Sequence, residues 1–250
     1  MDLERDTVLR RRAVVNALSG SAQRMCAPFW WSIQAPDHKQ ARILHGGSIC
    51  YIKTGVRELG ITADHVYKQY LSDLTEFGAE YIECQFGGST IDPQRHLVAR
   101  SERMDLATFE IPEVFVTASV TQRKTQHGPA KWPPDRVRVG EIVLYGGYPA
   151  AVREERGSLA ELPFEWMLGR LKEVTDHNIV FEPDFESAEW LGAQRNADPG
   201  GMSGGPVFRV AEGLIAHLEL VGFIYEFPFG DAISARHADL IMPDGSIQDR

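Results

Sequence analysis

The fold turns on one stretch, Gly200-Gly-Met-Ser-Gly-Gly-Pro-Val-Phe208. Glycines on both sides of Ser203 let the backbone bend so that successive N–H groups converge on one spot beside an exposed hydroxyl, as an oxyanion hole requires. The same letters satisfy G-x-S-x-G, the elbow in which a strand meets a serine and continues as a helix. The flanking residues separate the two readings. Asn196-Ala-Asp-Pro-Gly precedes the glycine run and is not a strand. Gly204-Gly205-Pro206, then Val207-Phe208, is hostile to a helix, since glycine costs about 1 kcal/mol and proline about 3 in a helix interior. An elbow would also need its acid and base, in that order, from the short tail that follows, where Asp231 and His237 could formally supply them. Ser203 is therefore expected on a turn that opens a strand. The plain alternative is a glycine-rich turn with no chemistry.

Working outward, short apolar or alternating runs recur between turn residues: FWWSI (29–33), GGSICYI (46–52), GAEYIECQF (78–86), EVFVTASV (113–120), EIVLYGGY (141–148), HNIVFE (177–182), GPVFRV (205–210) and ELVGFIYEF (219–227). Many short strands imply a sandwich or barrels, an all-β class. Helical spacing is confined to residues 3–18, ending at Ser19-Gly20, to 64–76, to part of 164–174, and to 234–241. Residues 126–136 hold three prolines and a glycine, which suits an extended connector between two halves. The expected division is an N-terminal helical extension (1–27), a first β unit (28–125), the linker (126–136), and a second β unit with a short C-terminal helix (137–250).

Composition narrows the partners. Of 250 residues, 43% are hydrophobic and 24% charged, an ordinary globular balance. Lys and Arg number 26 against 35 Asp and Glu, a net charge of −9 that repels polyphosphates, so nucleic acid is a poor partner. The longest uncharged apolar stretch, residues 142–152, contains Gly146, Gly147 and Pro149 and is far short of the about 20 residues that span a membrane. The charged N-terminus, broken by Asn16, lacks a secretory apolar region. Cys26, Cys50 and Cys84 are too scattered for a disulfide framework or a metal motif, and are expected as reduced core residues. A cytoplasmic protein is expected.

A serine hydroxyl needs a base to remove its proton and an acid to hold that base. Of eight histidines, His65 stands in Gly60-Ile-Thr-Ala-Asp-His-Val66, where an apolar strand end turns into a helical segment. His45, His96, His127 and His177 lie in polar or turn contexts and read as surface residues. Asp105, in Arg103-Met-Asp-Leu-Ala-Thr-Phe109, directly precedes a strand-like run. Asp64 is a rival acid, but side chains of neighbouring residues diverge, and it too reads as a surface residue.

Taken in order, T-A-x-H at His65, D-L-A at Asp105 and G-x-S-G-G-P at Ser203 resemble the trypsin-like serine peptidases of chymotrypsin fold. The resemblance also takes in residues 47–52, 139–149 and 221–225, and covers roughly 28–242. It implies two six-stranded antiparallel β-barrels with the N-terminal helix outside them. It implies Ser203 as nucleophile, His65 as general base and then acid, Asp105 as the residue that orients His65, and the Gly201 and Ser203 N–H groups as the oxyanion hole. Ala197 would lie near the base of the pocket for the side chain before the scissile bond, with Asp198 or Glu226 as possible acids there. Tyr225, Glu226 and Phe227 would run along the bound peptide. No metal or organic cofactor is implied; the partner is a protein or peptide substrate, with room for a regulatory protein.

Two positions depart from the secreted members. Met202 stands where many have an aspartate that pairs with a freed N-terminus, and Val66 where a cysteine commonly follows the histidine. Both suit a reducing compartment and a bacterial-type member. Two other functions share these residues: a binding module of the same fold whose catalytic groups are misaligned, and a serine esterase.

Overall fold

The computed structural model describes residues 18–34, 43–112, 132–156, 159–183, 200–211, 217–226 and 232–249. The expected strand at 113–120, most of the 3–18 helix, most of the 126–136 connector and the positions Ala197, Asp198 and Phe227 lie outside these residues. Helix α1 comprises 18–24 and runs on past Gly20, because Ala22 and Met25 are buried in the core.

Two antiparallel sheets carry the chain. The first contains β1 (Cys26–Ile33), β2 (Ile43–Lys53), β3 (Glu58–Thr62), β4 (Ile82–Phe86), β5 (Ser89–Thr90), β6 (Leu97–Ser101) and β7 (Leu106–Glu110), in the order β5-β4-β1-β2-β3-β7-β6. Helix α2 (Asp64–Phe77) follows β3, and α3 (Pro93–His96) joins β5 to β6. The second contains β8 (Ile142–Gly147), β11 (Glu165–Val174), β12 (Asn178–Pro183), β13 (Pro206–Ala211), β14 (His217–Glu226) and β15 (Ile233–His237). It closes on itself as β8-β11-β12-β15-β14-β13, a six-stranded barrel. A small hairpin, β9 (Glu154–Arg156) with β10 (Leu159–Glu161), stands beside it.

The all-β class holds, with one barrel closed. Among the described residues the first sheet stays open. Its edge strand β5 is two residues long and pairs only with β4, and the chain then passes through α3, beginning at Pro93, before β6 starts. Two helical expectations are corrected. Residues 165–174 form β11, whose buried positions Glu165, Met167, Gly169 and Leu171 alternate as in a strand laddered on both sides. Residues 233–237 form β15 between β12 and β14, leaving only a 3-10 turn at Ala238–Leu240 where a helix was expected.

Three apolar clusters hold this arrangement. An aromatic group, in which Phe29 and Phe86 meet edge to face at 4.7 Å and Tyr67 and Phe109 at 5.1 Å, lies between the first sheet and α2. A second fills the barrel around Tyr145, Phe181 and Met202. The third joins the two sheets, packing Cys50, Ile52, Leu59 and Leu106 against Leu144, Phe208, Phe223 and Leu240. The chain after the barrel returns to the first sheet, where Thr108 Oγ1 donates to Gly245 O (2.7 Å) and Thr54 Oγ1 to Pro243 O (2.6 Å). Both sheets therefore meet along one seam.

Candidate active site

His65 sits in the first turn of α2, immediately beyond the end of β3. Asp105 occupies the turn before β7, with β4, β5 and β6 between the two in the chain, yet adjacent in space because β3 and β7 are paired. Its backbone is left-handed, φ +49°, a conformation that Asp and Asn tolerate better than other side chains. There the carboxylate takes both donors of one residue: Oδ1 accepts the His65 backbone N–H (2.8 Å) and Oδ2 lies 2.8 Å from His65 Nδ1. With the carboxylate ionised, Nδ1 carries the proton, and Nε2 is left as the acceptor.

Asp64 is not a surface residue. Its carboxylate is buried, and Arg100 grips both oxygens at 2.8 and 2.9 Å, an ion pair that also pushes the guanidinium further up. Neighbouring residues on α2 diverge, so this acid faces β6 while His65 faces solvent.

Ser203 arrives from the other sheet, on the turn that opens β13. Gly201 (φ +100°) and Gly204 (φ +87°) supply the left-handed backbone that turn requires; a Cβ at Gly204 would stand 2.1 Å from Ser48 O. Ser48 on β2 ties the turn to the first sheet. Its N–H donates to Ser203 O (2.8 Å) and its hydroxyl to Gly201 O (2.9 Å), while the hydroxyl accepts the Tyr148 N–H (2.9 Å). Gly204 N–H donates to Ile224 O (2.7 Å), and Met202 is fully buried in the barrel core. No described protein acceptor takes the Gly201 or Ser203 N–H, so both remain available to a ligand.

The two halves meet in an open cleft of about 580 Å³. Its walls include His65, Val66, Gly200, Gly201 and Ser203 together with Trp31, His45, Gln69 and Arg153. Among the described residues no hydrogen bond joins the Ser203 hydroxyl to His65; the two groups share the cleft wall. Tyr225 and Glu226 end β14 and do not line this cleft; Arg236 stacks on the Tyr225 ring at 4.0 Å, and Glu226 is exposed. His237, the rival base, is buried, with Nε2 2.9 Å from Thr175 O, and burial holds it below the ordinary histidine range.

No protein-family model matches the chain, and no curated protein matches it in sequence.

One constellation escaped the sequence reading. His45, read there as a surface residue, has Nδ1 2.7 Å from Asp73 Oδ2, and Asp73 is buried on α2. Trp31 Nε1 donates to the same oxygen (2.6 Å) and Gln69 Nε2 to Oδ1 (2.8 Å). The signal lay in α2 itself, where His65, Gln69 and Asp73 recur at every fourth position and so share a face. The partners on β1 and β2 come from tertiary structure and left no local trace.

Proposed function

We propose that this chain is a serine endopeptidase of trypsin-like type, cutting protein or peptide bonds through an acyl-enzyme. On this reading the first sheet and its α2 correspond to the first barrel of that fold, and the closed barrel to the second. The observation that carries the reading is the convergence, from opposite sheets, of a carboxylate-anchored imidazole and a serine on one cleft, beside two uncommitted backbone N–H groups.

In the proposed reaction Ser203 Oγ attacks the scissile carbonyl carbon while His65 Nε2 removes the hydroxyl proton. The carbonyl electron pair moves onto oxygen, where the Gly201 and Ser203 N–H groups hold the developing charge. The imidazolium, paired with Asp105, then gives its proton to the leaving amine as the C–N bond breaks. Water repeats the sequence on the acyl-enzyme and regenerates the serine. The residues needed are all in the chain, and no cofactor enters. No helix among the described residues is long and apolar enough to cross a membrane, and all three cysteines are free thiols in buried positions, which supports placement in a reducing cytoplasm.

The missing Ser203–His65 hydrogen bond is the observation that favours the silent binding module; loose catalytic contacts that tighten on substrate binding are common enough to keep the peptidase reading first. Acid quenching of the protein with an activated peptide ester separates the two. The peptidase reading expects an acyl adduct on Ser203 in wild type and none in Ser203→Ala, together with cleavage of an unfolded protein substrate. Adduct formation without any amide cleavage points to the esterase, and no adduct in a folded protein points to the binding module.

A further inference from the structure

The structure puts a second histidine–aspartate pair on the cleft that holds Ser203, and the mechanism above does not use it. Asp73 accepts from the Trp31 indole and the Gln69 amide as well as facing His45, so it is an ionised acceptor, and His45 Nδ1 must be the donor. The pairing fixes the imidazole, whose remaining nitrogen, Nε2, has no partner among the described residues. Trp31 packs on the same ring at 5.9 Å, edge to face. A half-exposed histidine anchored this firmly is a preorganised contact for something in the cleft.

Position along β2 gives its distance from the chemistry. Residues 45 and 47 share a face of the strand, and the open face of Gly47 meets Val66 and the Ser203 carbonyl. His45 therefore lies two residues, about 6.6 Å of strand, along β2 from the point where Gly47 meets the Ser203 backbone, and it lines the same cleft as Ser203. The strand expected to carry the acyl half of a substrate, Tyr225 and Glu226, lines no part of this cleft. The cleft lies beside His65, and on the peptidase reading it takes the leaving-group half. Its walls hold Arg153 and two histidines and, among the described residues, no Asp or Glu.

Resting on the peptidase reading, we propose that His45, oriented by Asp73, is a specificity residue that receives a carboxylate side chain, Glu or Asp, within the first two positions after the scissile bond. The imidazolium donates from Nε2 to the substrate carboxylate and from Nδ1 to Asp73. Arg153, whose Nη1 donates to Leu44 O, stands on the same wall. The titratable and charged groups about His45 among the described residues are Asp73 on α2, Arg153, and His65 across the cleft; Trp31 and Gln69 are neutral.

The test is cleavage of paired peptides that differ only by Glu or Gln at each of these two positions, with fluorophosphonate labelling of Ser203 run beside it. Wild type is expected to prefer Glu at one position by roughly tenfold in kcat/KM, the size of a hydrogen bond to a charged group. In His45→Gln the ratio should collapse toward one, and in His45→Arg, which restores a cationic donor, it should return. Cleavage with a Glu-to-Gln ratio near one in wild type overturns the proposal and leaves the peptidase reading standing. A folded protein that neither labels at Ser203 nor cuts any peptide overturns both. Because the wild-type ratio alone decides, a variant that fails to fold does not rescue the proposal.

Discussion

At Asp105 one side chain holds two donors of one histidine, and its left-handed backbone is what turns both carboxylate oxygens toward them. Asparagine tolerates the same backbone and keeps one acceptor oxygen, so Asp105→Asn should fold normally. It should also present the wrong imidazole tautomer and lower turnover by about 10⁴-fold. Circular dichroism beside the rate of peptide cleavage checks this; a mild Asp105→Asn beside a folded but inactive Asp64→Asn would contradict the acid assignment. Serine, histidine and this aspartate were legible in the sequence because each stands in a short local pattern: glycines round Ser203, a strand end before His65, an apolar run after Asp105. The burial of Asp64 and the His45–Asp73 pair were not legible. Both depend on partners from other strands, Arg100 in one case and Trp31 and His45 in the other, and polar residues on an amphipathic helix otherwise read as its wet face.

The turn from Gly200 to Gly205 is held at its middle by Met202 and at its edges by Ser48. Where secreted trypsin-like enzymes are expected to use an ion pair, this turn uses apolar packing. Met202→Ala should cost about 2–5 kcal/mol and slow labelling of Ser203, whereas Met202→Leu, which keeps the volume, should cost less than about 1.5 kcal/mol. Denaturant unfolding of both variants, read beside their labelling rates, tests this; an alanine variant as stable and reactive as wild type would remove Met202 from the account. Ser48→Ala leaves the Tyr148 N–H without its acceptor, for about 1–3 kcal/mol, and cuts the link to Gly201. Elements were read well where a short apolar run was bounded by turn residues, as in β8 and β14, and misread in β11 and β15. Phe164, Met167, Leu168 and Leu171 also satisfy a helical spacing, and only the ladders on both sides of β11 decide for the strand. Period alone does not separate these states in a short apolar run.

Across the whole molecule, the site lies where the two sheets share a core, so its geometry rests on the seam of Cys50, Leu106, Leu144 and Phe223. Closure of the second barrel was expected and so was that of the first; among the described residues the first sheet is open, and the strand expected at 113–120 lies outside them. Strands β2 and β4 flank β1 on opposite sides, and Cys50 stands opposite Cys26 whereas Cys84 stands opposite Trp31, so the two are about 9.6 Å apart across the sheet and about 17 Å along it, beyond disulfide reach. Thiol titration should find all three cysteines in denaturant and almost none in the native protein; a count of one in denaturant would contradict the reduced state. Buried His237 gives the fold an acid sensitivity. Its pKa is lowered, so the unfolded chain takes up a proton that the folded chain refuses, and stability falls as pH drops below about 6.5 toward the lower folded value. Melting between pH 7.5 and 5.5 should show this slope, and His237→Gln should flatten it. The most direct measurement of the central claim is fluorophosphonate labelling followed by mass-spectrometric mapping of the site. Labelling at Ser203 alone, lost in His65→Ala while the fold persists, is the predicted result. Labelling at another serine, or none at all in the folded protein, would contradict it.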